Sequence, residues 1–215
     1  MKVGMIGLGK LGLPVAIAID MHNHDVMGYD INTDVMQKNK CFYKEVGPNN
    51  EESIEPFLQN SNLKFGTISE VVNHSEIIFL AVQTPHEEKY EGITPLPYER
   101  VDFNYKYLLE AFKSVSDEAF KQKKEIVVVV ISTVLPGTFR NKIVPLSNNY
   151  IKLCYNPFFI AMGTTMPDYL NPEFVLFGVW DNDAASKAEK FYKSIHKKPF
   201  YKTSVENAEL IKVTY

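Results

Sequence analysis

Gly7, Gly9 and Gly12 stand in G-x-G-x-x-G spacing near the head of the chain, and Asp30 follows 18 residues after the third glycine. Each residue type answers a chemical need. Gly7 permits a tight turn out of a strand. Gly9 has no side chain to hold a pyrophosphate away from the backbone. Gly12 lets a helix lie close against a sheet. A helix starting there turns free N–H groups and its positive dipole end toward phosphate oxygens. The acid is placed to accept hydrogen bonds from a ribose 2′-hydroxyl, and it would repel a 2′-phosphate. The expected chemistry is binding of NAD rather than NADP. The expected contact set is Gly7, Leu8, Gly9, Lys10, Leu11, Gly12 and Asp30.

Those residues need a strand before the glycines, a helix after them and a second strand ending at the acid. Apolar residues at 2–6, a helical run over 11–21 and Asp25-Val-Met-Gly-Tyr-Asp30 supply all three. Further along, 33–39 and 54–59 read as short helices, with a polar, turn-rich stretch over 44–53 between them. Leu63-Lys-Phe65 reads as a strand. Thr67-Ile-Ser-Glu70 is a capping box, so a helix should run to His74. The run 76–82 is a strand of the buried kind, and it delivers Val82-Gln-Thr-Pro85 to the carboxyl end of the sheet, where ligands bind. A charged loop over 86–100 leads to a helix over 103–121. The valine-rich run 126–131 suits a buried parallel strand. Pro136 is expected in the first turn of a helix reaching Val144.

Strands are expected at 151–155, 174–180 and 198–202, a helix at 183–196, and a long irregular segment at 156–172. Thr203-Ser-Val-Glu206 reads as a second capping box, opening a helix near Ser204 that is still running at Tyr215. That helix has no stop signal, so the natural chain is expected to continue. Strands alternating with helices define an α/β fold: a doubly wound, mostly parallel sheet of Rossmann type, ending in the start of a long central helix. The division expected is a dinucleotide-binding domain over 1–203 and the beginning of that helix over 204–215.

Composition narrows the function classes. The chain has 215 residues, 45% of them hydrophobic, and a net charge of −3. The absence of a basic excess argues against nucleic acid or an anionic membrane surface as partner. No apolar run reaches spanning length, and a reduced cytoplasmic setting is expected. Cys41 and Cys154 form neither a metal spacing nor a disulfide framework, and packing is the expectation for both. The five histidines make no ligand pair by spacing, so no metal is expected. His22 and His24, beside a helix end, are expected to be exposed.

Several separated segments together resemble the amino-terminal half of the UDP-glucose/GDP-mannose dehydrogenase family. They are Val3-Gly-Met-Ile-Gly-Leu-Gly-Lys-Leu-Gly-Leu-Pro14, Gly28-Tyr-Asp-Ile-Asn32, Glu55-Pro56, Val82-Gln-Thr-Pro85, Ser132-Thr-Val-Leu-Pro-Gly-Thr138, Tyr155-Asn-Pro157 and Glu206-Asn-Ala-Glu-Leu-Ile-Lys212. The resemblance implies oxidation of the C6 alcohol of a nucleotide sugar, such as UDP-glucose, to a carboxylate with NAD, as in polysaccharide biosynthesis. It implies NAD contacts at Val82, Thr84, Pro85 and Thr133, with the Thr133 hydroxyl near the reacting centre. It places Lys212 on the family's active-site lysine, where an ammonium can stabilise an oxyanion. It also implies a homodimer formed through the central helix.

This chain departs from the pattern in two places. The family usually reads Asn-Pro-Glu-Phe-Leu where this chain has Asn156-Pro-Phe-Phe-Ile160. Phe158 thus replaces the glutamate that handles protons and water. Asn171-Pro-Glu-Phe174 is a decoy, since family sequences have Asn-Pro-Asp-Arg before the next strand. The family's nucleophilic cysteine and sugar domain lie beyond the segment present here, so turnover by this chain alone is not expected. Two other readings stay open: a non-catalytic NAD-binding module or regulatory subunit, and a β-hydroxyacid-dehydrogenase-like reductase.

Overall fold

The computed structural model describes residues 1–37, 43–50, 53–91, 93, 95 and 97–215. Cys41, the end of the expected 33–39 helix and parts of the 44–53 and 86–100 loops lie outside the described residues.

Eight strands form one sheet: β1 (Lys2–Ile6), β2 (Asp25–Tyr29), β3 (Lys64–Phe65), β4 (Ile77–Leu80), β5 (Ile126–Val130), β6 (Ile151–Tyr155), β7 (Val175–Val179) and β8 (Phe200–Ser204). The helices are α1 (Gly12–Met21), α2 (Glu55–Asn60), α3 (Ile68–His74), α4 (Lys106–Gln122), α5 (Thr165–Leu170), α6 (Asn182–Tyr192) and α7 (Val205–Thr214). Strand order is β3-β2-β1-β4-β5-β6-β7-β8. Pairing is parallel from β3 through β6; β7 runs antiparallel to β6, and β8 is parallel to β7. From β1 the chain winds first toward one edge and then, from β4, toward the other. The switch falls between β1 and β4, and ligands of open α/β sheets bind outside the carboxyl ends of such strands.

The central strands are apolar because helices cover both faces. Ile77, Phe79, Val127 and Val129 pack with α1 and α6, whereas Ile78, Leu80, Val128 and Val130 pack with α3 and α4. Each such side chain contributes about 1.5–3 kcal/mol by burial. Ion pairs such as Lys113–Asp117 and Lys64–Asp25 join exposed groups. Exposed pairs are worth about 0–1 kcal/mol each. Burial therefore holds the sheet together.

Four expectations are corrected. Pro136 precedes the helix rather than opening it. Thr138 N–H donates to Leu135 C=O (3.0 Å) across a turn whose third residue, Gly137, has φ +88°. Proline suits the second position of that turn and glycine the third. A π-helical turn (Phe139–Ile143) and a 3₁₀ turn (Val144–Leu146) follow. The 156–172 segment contains α5, whose Pro167 lies in the first turn, where no N–H is needed. The cap of α7 is Ser204, accepting from Asn207 N–H, so Thr203 and Glu206 form no capping box there. The Thr67–Glu70 box is present in both directions.

His24 is buried, not exposed. Its ring packs on Phe191, Nδ1 faces the Met1 ammonium (3.1 Å) and Nε2 faces Ser194 Oγ (2.9 Å). An ammonium only donates, so Nδ1 accepts and Nε2 carries the proton. Burial first, then the N-terminal charge and His22, push the His24 pKa below 6.5. Burial lowers His196 likewise. A folded-state pKa below the unfolded one gives stability that is complete above about pH 6.5 and lost as pH falls through the folded value. The urea midpoint should therefore drop between pH 7.5 and pH 5.5, and His24→Phe should shrink that drop. An equal drop in the variant would remove His24 from the account.

Candidate cofactor and active site

The glycine loop fits a dinucleotide for reasons visible in its geometry. Gly7 has φ +92°, and a Cβ there would sit 2.6 Å from Ala81 C=O. A Cβ on Gly12 would lie 1.9 Å from the carbonyl oxygen of Gly7, so only glycine lets α1 start this close to β1. Around Gly9 a Cβ would meet nothing within 4 Å. That residue faces open space, where a pyrophosphate could approach the backbone. Gly12 opens α1, and the N-cap residue Leu11 borders the same space as Gly9.

Asp30 lies at the end of β2 and is tied to the loop. Leu8 N–H donates to one carboxylate oxygen (2.6 Å) and Asn32 N–H to the other (2.8 Å). Each oxygen keeps a lone pair for a ribose hydroxyl. The Leu8 side chain is fully buried, so its part is played by the backbone.

On the other side of the switch point, the ends of β4 and β5 are stitched together. Ser132 Oγ donates to Val82 C=O (2.6 Å), and Thr84 Oγ1 donates to Thr133 C=O (2.7 Å). The Thr84 hydroxyl proton is thus spent on the Thr133 backbone, and its lone pairs remain for a ligand. Pro85 C=O accepts from Asn104 N–H (2.8 Å), which anchors the following loop.

One cavity of about 310 Å³ joins these parts. Gly9, Lys10, Leu11, Val82, Thr84, Thr133 and Lys212 all line it, together with Phe158, Ile160 and Met162. Gly7, Gly12 and Asp30 shape the loop behind it, and Pro85 lies outside the lining. Lys212 reaches the rim from α7. Its Nζ donates to Phe158 C=O (2.7 Å) and lies 5.2 Å from the centre of the Phe159 ring. Burial lowers its pKa below the ordinary lysine value. Lys10 and Lys212 are the ionisable residues among the described lining. The Phe158 ring, 5.6 Å from that of Tyr169, stands on the wall as an apolar surface. A second cavity of about 440 Å³ opens on the far side of Lys212, lined by Phe159, Asp168, Glu173, Phe174 and Tyr215 among others.

Cys154 is buried, and its thiol is pushed up to about 12 by desolvation. It is packing, not a nucleophile. Among the described residues no three His, Cys, Asp or Glu side chains converge on a metal-sized site, and no helix is long and apolar enough to cross a membrane.

Two buried acids are not evident from the sequence. Glu45 accepts from Gly163 N–H (2.9 Å) and Thr165 N–H (3.1 Å), fixing the loop that carries Met162 to the start of α5. Glu209 accepts from Gly137 N–H (2.6 Å) and Phe139 N–H (2.8 Å). A hint of the second exists: Val205, Ala208 and Glu209 follow the i, i+3, i+4 pattern of a core-facing stripe, so an acid there has a buried task.

A doubly wound sheet with a glycine loop, a strand-end acid and a cleft at its switch point defines a dinucleotide-binding domain. The sequence pattern of the UDP-glucose/GDP-mannose dehydrogenase family, NAD binding domain, matches residues 1–196, and the chain belongs to that family. It is 28% identical to UDP-N-acetyl-D-mannosamine dehydrogenase of Pyrococcus horikoshii, over 99% of this chain and 49% of that protein. It is 26% identical to GDP-mannose 6-dehydrogenase of Pseudomonas aeruginosa, over all of this chain and 49% of the relative. The crystal structure of a ternary complex of GDP-mannose dehydrogenase from the same organism superposes with a TM-score of 0.85 at 26% identity, covering 100% of this chain and 49% of that one. The chain therefore spans about half the length of these relatives. Its cofactor is NAD, as the family and the loop geometry agree.

Proposed function

We propose that this chain is the NAD-binding half of a nucleotide-sugar 6-dehydrogenase, in which Lys212 and Thr133 assist removal of hydride from the sugar C6. The observation that carries this reading is the common cleft of Gly9, Thr84, Thr133 and Lys212, four residues from four distant parts of the sequence. Bound NAD supplies the hydride acceptor. The chain's own residues do the rest. Gly9 and the start of α1 seat the pyrophosphate, and Asp30 holds the adenosine ribose. Val82, Thr84 and Thr133 wall the nicotinamide side. Lys212 offers an N–H to the C6 oxygen, which gains negative charge as it gives up its proton and returns that charge to the forming C=O as hydride leaves. Phe158, Ile160 and Met162 exclude water from that wall.

The larger protein would provide the nucleophile and the rest of the sugar site. The exposed apolar side chains of α7, Leu210, Ile211 and Val213, with Tyr215 just after it, fit a helix-mediated homodimer. The setting proposed is the cytoplasm. The division proposed places the domain at 1–203 and the central helix from Ser204 onward.

Titration calorimetry with NAD and NADP tests the reading. Wild-type chain should bind NAD at least about tenfold more tightly than NADP, about 1.4 kcal/mol. Asp30→Ala should weaken NAD about 10–100-fold, the worth of hydrogen bonds to a charged group, and shrink the preference over NADP. No NAD binding, or an unchanged preference in the variant, would refute it. The natural full-length protein should then reduce NAD with UDP-glucose or GDP-mannose. NAD binding with no turnover on either sugar would favour the non-catalytic module, for which the apolar Phe158 wall is the supporting observation.

A further inference from the structure

Glu209 is an unusual acid. It is fully buried, it faces the sheet side of α7, and its oxygens accept from the backbone N–H groups of Gly137, in one turn, and Phe139, just after it. That turn, 135–138, closes the segment bearing Thr133. One helical turn beyond Glu209 on the same helix stands Lys212, hydrogen-bonded to the 158 backbone. The other polar link from α7 to the turn region, Glu206 with Arg140, is exposed and screened by solvent. So α7 is pinned at two points: at the buried Glu209 to the Thr133 segment and at the half-buried Lys212 to the cleft wall.

We propose that Glu209 is the positioning residue that holds Lys212 in register with Thr133 at the cleft. It touches neither cofactor nor substrate and acts through α7. The inference rests on the reading of Lys212 and Thr133 as site residues. A plainer account would have Glu209 only cap the π-helical turn and add stability. The two accounts differ in what Lys212 experiences. If Glu209 sets the helix, replacing one acceptor oxygen by an amide NH2, which faces a backbone N–H donor-to-donor, lets α7 slacken and returns Lys212 to water. If it only caps, Lys212 stays desolvated. The ionisable groups that act on Glu209 are Glu206 on α7 itself, and Arg140 and the Tyr155 phenol from the elements packed against it.

Nuclear magnetic resonance on the labelled 215-residue chain decides between them. The titration midpoint of Lys212, read at its Cε and Nζ, should rise by about one pH unit toward the ordinary value in Glu209→Gln. Val205→Ala, which trims a buried side chain from the same helix, should lower Tm while leaving that midpoint in place. An equal shift in both variants, or none in Glu209→Gln, overturns the proposal. Should Glu209→Gln fail to fold, acid titration of the wild type separates the same two accounts. The Gly137 and Phe139 amides, the Glu209 carboxyl carbon and the Lys212 Cε should move over one shared pH interval. A Lys212 signal indifferent to the Glu209 titration overturns it. These readouts need no cofactor, so NAD binding can fail on the same samples, sinking the functional reading, while the coupling stands.

Discussion

Gly12→Ala should cost both fold and cofactor, whereas Gly9→Ala should cost the cofactor alone. The difference lies in what each new methyl would meet. At Gly12 the Cβ would sit 1.9 Å from the backbone oxygen of Gly7, and backbone cannot rotate away as a side chain can. Helix α1 must then lift off β1, and Leu13, Val15, Ala16 and Ile17, all buried, lose their packing. Overpacking of this kind costs about 3 kcal/mol, or about 10 °C in Tm for a chain of this size. The raised helix start no longer reaches a pyrophosphate, so NAD affinity should fall about 100-fold or more, about 2.7 kcal/mol. At Gly9 the Cβ would point into open space. Tm should hold, or rise slightly, because alanine restricts the unfolded chain by about 0.4–1 kcal/mol. NAD should still weaken by about tenfold, since the methyl occupies the place of the phosphates. Paired thermal melts and NAD titrations check this. Variants that behave alike would mean the loop binds no pyrophosphate at Gly9.

The contrast also shows what a sequence can and cannot reveal. β4 and β5 are legible because a strand covered on both faces is written as an unbroken apolar run. The cap of α3 is legible because Thr67 and Glu70 are three residues apart and bond each other. The glycine loop is legible because three backbone demands fall within six residues. Other features depend on partners far along the chain. Glu45 meets residues 118 and 120 positions away, His24 meets Ser194, and the Thr84 hydroxyl ends on the Thr133 carbonyl. No local pattern encodes such meetings. Pro136 is ambiguous for a different reason. A proline serves equally at a helix start and at the second position of a turn, and the positive φ of Gly137 settles the choice. In α5 the two breakers mislead: Gly163 lies just outside the helix and Pro167 in its tolerant first turn. On the cofactor side the glycine loop and Asp30 are legible because backbone demands set their types and spacing, whereas Thr84, Thr133 and Lys212 are expected from the family resemblance. The glycine loop therefore emerges without knowledge of the long-range bonds that brace it, and the Lys212 side does not.

Lys212→Met in the natural full-length protein should reduce kcat by about 100–1,000-fold, about 2.7–4 kcal/mol of transition-state stabilisation, and leave NAD affinity within about twofold. With Phe158, Ile160 and Met162 on one wall, the ionisable groups among the described lining residues are Lys10, beside the glycine turn, and Lys212, at the Thr133 end. An oxygen that acquires negative charge there finds its cation in Lys212, because Lys10 belongs to the phosphate side. Methionine keeps the length and apolar stem of the side chain, so the walls stay filled and cofactor seating is spared. The pH profile adds an independent sign. Burial lowers the Lys212 pKa, so the ammonium that stabilises the oxyanion is lost as pH rises through a value below 10.5. Wild-type kcat should therefore decline on the alkaline side, and the residual activity of Lys212→Met should lack that decline. A variant that loses NAD affinity in proportion to kcat would place Lys212 in cofactor binding instead. A variant with unchanged kcat would leave the lysine as a surface cation resting on the Phe158 carbonyl, and the chemistry of the cleft would have to come from outside this domain.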